Sequence, residues 1–138
     1  MAHASNAFWL KFFIQNEINV LTWNYRSYGR SEGTPDPFCT YHDGEAMLKF
    51  LIDDLGLTGK FGCFGRSLGG TIATYVACNH PRTIDLLMVD RSLGSLQKMS
   101  EGSFLGKWTP FIFEIFTQGW KVNSDENYYQ TKCFKMIT

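Results

Sequence analysis

The sequence predicts an α/β fold, a doubly wound parallel sheet. Three observations lead there. β-Rich apolar runs at 18–23, 60–64, 84–89 and 133–138 alternate with segments of helical periodicity. The helix expected over 67–78 places Gly70, Ala73 and Ala77 on one face, small residues that let a helix sit close against a sheet. The 138 residues are 44% hydrophobic and 19% charged, a balance that suits one globular domain and excludes a disordered chain.

The elements follow in order. Ser5 or Asn6 caps a helix running to about Asn16, with Trp9, Phe12 and Phe13 on one face. After a turn, 18–23 reads as a short buried strand, and 24–39, rich in Gly, Ser and Pro, as a loop. Thr40-x-x-Asp43 resembles a capping box. It opens a helix with Met47, Phe50, Leu51 and Leu55 on its apolar face and Gly56 at its close. The strand at 60–64, the helix at 67–78 and the strand at 84–89 follow. Thr109 caps another helix, with Pro110 at its first position and Gly119 at its stop. Its stripe of Trp108, Phe111, Ile112, Ile115 and Phe116 reads either as core packing or as the lining of an acyl pocket or lipid contact. The last strand is 133–138. One domain is expected over 1–138, with its core at 7–96, a connecting or cap-like region at 97–131 and the last strand at 132–138.

Bulk properties narrow the function. Thirteen basic and thirteen acidic residues cancel, so no basic stripe suits nucleic acid. Cys39, Cys63, Cys78 and Cys133 show no C-x-x-C spacing, which suggests reduced, structural thiols in a cytoplasmic compartment. No run approaches the ~20 apolar residues of a membrane span, which leaves only peripheral membrane contact open. The first residues have neither the basic region nor the apolar core of a signal peptide. The acidic pairs Asp53–Asp54 and Asp125–Glu126 have no neighbouring histidines, so a solvated face is expected and not a metal site. Gly62-x-x-Gly65 lacks the first glycine of a dinucleotide fingerprint, and no G-K-[ST] is present. No cofactor is expected.

The chemistry concentrates in Gly65-Arg66-Ser67-Leu68-Gly69, a G-x-S-x-G set between an expected strand and an expected helix. A serine hydroxyl attacks an acyl carbon only if it projects clear of the backbone. A sharp strand-to-helix turn does this but crowds the neighbours two residues away on either side. Glycine at 65 and 69 removes the clashing Cβ atoms. The same turn aims the Leu68 N–H at the oxygen that becomes negative during acyl transfer. Ser67 is the candidate nucleophile and Leu68 the candidate oxyanion donor.

Upstream, Asn24-Tyr25-Arg26-Ser27-Tyr28-Gly29-Arg30-Ser31 is similar to the D-x-R-G-x-G-x-S loop of the α/β-hydrolase fold. Together with the elbow at Ser67, it makes residues 7–96 resemble that family, most closely the abhydrolase-domain proteins related to Bem46 and the protein depalmitoylases. Asn24 stands where the family has Asp, and Ser27 where it has Gly. The resemblance implies a serine hydrolase acting on acyl esters, thioesters or amides, with a small-molecule or acyl-protein substrate. It also implies a triad in the order Ser, acid, His. The acid and histidine are expected outside this chain, which on this resemblance reads as a fragment with a sheet incomplete at both ends. His3 and His42 precede Ser67, and His80 reads as a surface turn residue at the far end of the sheet. His3-Ala4 is a faint echo of the family's His-Gly oxyanion turn. Asp90 stands where some members place the acid, and reads otherwise as a turn cap or a partner of Arg91. The alternative is a non-catalytic member acting by binding.

Overall fold

The computed structural model of the protein describes residues 7–92 and 124–138. Two compact units divide the chain, 1–34 and 35–138.

In the first unit, α1 (Ala7–Gln15) carries an aromatic cluster. Trp9 stacks on Phe13 at 6.2 Å and meets Phe12 edge-on at 5.9 Å. The strand expected over 18–23 is absent: this run forms no ladder. A strand persists only through a partner's hydrogen bonds, and the sheet contains no residue of this run. The loop at 24–33 folds on itself. Ser31 Oγ donates to the Asn24 carbonyl at 3.0 Å, and Ser27 and Gly29 take positive φ of 68° and 63°. A side chain at Gly29 would crowd the Asn24 amide at 2.8 Å.

The second unit holds the sheet. Strands β1 (Phe61–Arg66), β2 (Ile84–Asp90) and β3 (Phe134–Ile137) pair in parallel in that order, as the alternating pattern predicts. Central β2 is paired on both flanks and reads as a nearly continuous apolar run, as suits a strand whose successive side chains are buried on opposite faces. Leu87, Met88 and Val89 are buried in it. Helix α3 (Leu68–Asn79) packs on β1 and β2 and buries Gly70, Ala73 and Ala77, the small face that the sequence marks.

Helix α2 (Pro37–Lys49) packs against α3 and continues through one π-helical turn at Phe50–Asp54 to Leu55 and Gly56, whose φ is +62°. Its start differs from the expected one. Asp36 is the cap, accepting a hydrogen bond from the Cys39 N–H at 2.7 Å, with Pro37 in the first turn. Thr40 lies within the helix, its hydroxyl donating to the Asp36 carbonyl at 2.6 Å. The buried face also differs. Thr40, Gly44 and Leu48 face inward, whereas Phe50 and Leu55 are exposed. Gly44 sets that face, because a Cβ there would come within 2.8 Å of Ile72 and 2.9 Å of Val76. Tyr41 stacks on Tyr75 of α3 at 4.6 Å.

Helix α4 (Ser124–Gln130) packs on α3, and the sequence reading assigned no element there. Its signal is Ser124 followed by Asp125 and Glu126, acids in a helix's first turn. The helix expected over 109–119 lies outside the described residues, as do residues 1–6 and most of the expected connecting region. Among the described residues no helix is long and apolar enough to cross a membrane, and the four cysteines are free thiols.

Candidate active site

The turn between β1 and α3 builds the site. Ser67 sits in it at φ 54° and ψ −123°, a conformation that side chains rarely adopt. The glycines around it explain how the chain tolerates this. A Cβ on Gly65 would overlap the Gly69 carbonyl and come within 2.5 Å of the Gly70 nitrogen. Only glycine at 65 lets the strand run straight into the helix. Ser67 is exposed, and its hydroxyl makes no capping bond to α3. The Leu68 N–H belongs to the first turn of α3, where a helix leaves its donors without intrahelical partners. The positive end of the helix dipole lies at the same place.

The end of β2 supports the turn. Arg66 and Asp90 stand opposite each other in the parallel register, and the Ser67 N–H donates to the Asp90 carbonyl at 3.1 Å. The Asp90 carboxylate is buried, only 3% exposed. Two guanidinium groups engage it: Arg91 Nε lies 3.0 Å from Oδ1 and Arg66 Nε 3.4 Å from Oδ2. Asp90 therefore pairs with Arg91, as one of its three sequence readings has it. Arg66, beside the serine, is part of the same cluster.

The described histidines lie elsewhere. His80 caps the far end of α3, twelve residues from its start, roughly 18 Å at the helical rise. His80 Nε2 is 3.2 Å from Glu45 Oε1, and His42 Nδ1 is 2.9 Å from Glu45 Oε2. Burial tends to raise the Glu45 pKa, but the hydrogen bonds and charges of the two imidazoles outweigh it and hold the carboxyl below its usual range. His80 is thus more than the solvated turn residue that the sequence suggests. The spacing of His42 and Glu45 on one helix face was readable, but the long-range link to His80 was not. His3 lies outside the described residues.

Near the elbow, burial pushes the Cys63 thiol up to about 12, with nearby Cys133 adding to the shift. Cys63 is therefore protonated at neutral pH and does not compete as a nucleophile. No group of histidine, cysteine and acidic side chains among the described residues could hold a metal ion.

The chain is similar in sequence to several curated proteins. It is 32% identical over 97 residues to the alpha/beta hydrolase domain-containing protein WAV2 of Arabidopsis thaliana, covering 70% of this chain and 30% of that one. It is 30% identical over 105 residues to the uncharacterized membrane protein YNL320W of Saccharomyces cerevisiae, covering 75% and 34%. Protein bem46 of Schizosaccharomyces pombe matches at 26% identity over 89 residues, covering 64% and 30%. The chain spans about a third of the length of these relatives. The family description of the alpha/beta hydrolase fold matches residues 5–125, from α1 through the elbow to the start of α4. With a strand, a strained serine turn and a small-faced helix laid on a parallel sheet, this chain belongs to the α/β-hydrolase fold family.

Proposed function

We propose that the protein is a serine hydrolase of acyl ester, thioester or amide bonds, with Ser67 as its nucleophile. The single observation that carries this reading is the backbone of Ser67, held at φ 54° and ψ −123° between β1 and α3. Strain of this kind costs about 1–3 kcal/mol and persists where the surroundings over-determine it, most often at sites of chemistry. Ser67 Oγ attacks the acyl carbon, and the hydroxyl proton passes to a histidine base. The carbonyl oxygen takes up the electron pair, and the Leu68 N–H donates to it. Collapse expels the alcohol, thiol or amine and leaves an acyl-serine, which water hydrolyses. The base and its acid come from outside these 138 residues. The reaction needs no cofactor, and the four thiols suit the cytoplasm.

A second reading, a family member that binds without catalysis, is favoured by one observation. His42 and His80 are both engaged on Glu45, at the far end of α3 from Ser67. Reaction with a fluorophosphonate probe separates the two. A hydrolase is labelled at Ser67, and Ser67→Ala abolishes the labelling. A folded protein that stays unlabelled in every form of the chain sinks the hydrolase reading.

A further inference from the structure

Two peptide units meet at Ser67, and residues 90–92 hold both. On one side the Ser67 N–H donates to the Asp90 carbonyl at 3.1 Å. On the other, the Ser67 carbonyl accepts two hydrogen bonds, from the Gly70 N–H at 3.0 Å and from Ser92 Oγ at 3.1 Å. The Ser67 carbonyl and the Leu68 N–H belong to one planar peptide and point in opposite directions. A group that fixes the carbonyl therefore fixes the direction of the N–H. A hydrogen bond at the carbonyl also polarises the amide and strengthens its donor.

We propose that Ser92 is a positioning residue: by donating to the Ser67 carbonyl, its hydroxyl aims the Leu68 N–H at the developing oxyanion. The catalytic consequence rests on the serine-hydrolase reading, whereas the orientation of the peptide does not.

The surroundings are built for this contact. Arg91 turns at φ 47°, which bends the chain after β2 back toward the elbow. Its N–H donates to the Thr138 carbonyl at 3.1 Å, and the Thr138 N–H donates to the Val89 carbonyl at 3.0 Å, so the end of β3 anchors the turn. Gly70 makes room for Ser92. A Cβ at position 70 would overlap both the Oγ and the Cβ of Ser92 and approach Val89 Cγ1 at 3.0 Å. The first turn of α3 thus lacks a side chain at the place where the Ser92 hydroxyl reaches in.

The test pairs a spectroscopic measurement with a kinetic one. In amide NMR spectra of the protein, Ser92→Ala shifts the Leu68 N–H resonance, while Ser92→Thr, which keeps the hydroxyl, leaves it near the wild-type position. Fluorophosphonate labelling of Ser67 slows about tenfold in Ser92→Ala, less than the 10²–10³-fold cost of deleting an oxyanion donor outright, and recovers in Ser92→Thr. If Ser92→Ala does not fold, Ser92→Cys keeps the side-chain shape, weakens the donor and has the same expected outcomes. A Leu68 resonance that stays in place, or labelling of the hydroxyl-free variant at the wild-type rate, overturns the proposal. A shifted resonance in a protein whose wild type is unlabelled in every form of the chain upholds the positioning and overturns the hydrolase reading instead.

Discussion

Ser27 and Ser67 both adopt positive φ, at 68° and 54°, but only Ser67 stands at the strand-to-helix turn. A left-handed conformation costs an L-residue roughly 1–2 kcal/mol, partly offset because glycine loses more chain entropy on folding. Ser27→Gly should therefore raise stability by about 0.5–1 kcal/mol, seen as a higher urea midpoint with an unchanged slope. The opposite holds at Gly65. Its missing Cβ is the space that the Gly69 carbonyl occupies. Gly65→Ala should cost at least about 2 kcal/mol and abolish reaction at Ser67, measured by thermal unfolding and probe labelling. The G-x-S-x-G spacing made the elbow legible because each glycine answers a local steric demand. Ser92 left no such mark: its role depends on a contact across 25 residues that local pattern does not encode.

Elements were legible where one periodicity dominated. β1, β2, β3 and α3 lie within two residues of their expected bounds, because apolar runs and a small-residue face have few alternative readings. Helix α2 was misread at its start, since Thr40 satisfies a capping pattern but Asp36 and Pro37 satisfy a stronger one upstream. Asp36→Ala should cost about 1 kcal/mol in equilibrium unfolding, while loss of the Thr40 hydroxyl should leave the helix start intact. The run at 18–23 failed for another reason. Strand propensity describes a side chain's fit to a sheet and supplies no partner.

The link between α2 and the end of α3 also has a pH signature. The Glu45 carboxyl titrates below its ordinary 4.5 in the folded protein. A depressed carboxylate contributes stability that is fully present above the unfolded value and lost as pH falls through the folded one. Glu45→Gln should therefore destabilise by about 1 kcal/mol at pH 6, with the difference from wild type shrinking below pH ~4.5. Urea titrations at the two pH values read this directly.

At the scale of the whole molecule, the sheet is protected unevenly. β2 is buried, whereas Phe134 and Ile137 on β3 are 69% and 65% exposed. An exposed apolar strand is a template for pairing with other chains. Ile137→Lys should change stability by less than about 0.5 kcal/mol and reduce light scattering in concentrated solutions of this chain.

The clamp on Ser67 has a consequence in time. Residues 65–69 leave the ribosome ahead of residues 90–92, which hold them, and Thr138, which steadies Arg91, emerges later still. The turn at Ser67 cannot keep its strained backbone until β2 and β3 have joined β1. A nascent chain thus carries an ordinary, relaxed serine. On the proposed hydrolase reading, reactivity waits for β1, β2 and β3 to pair, so a serine-directed probe would also report that pairing.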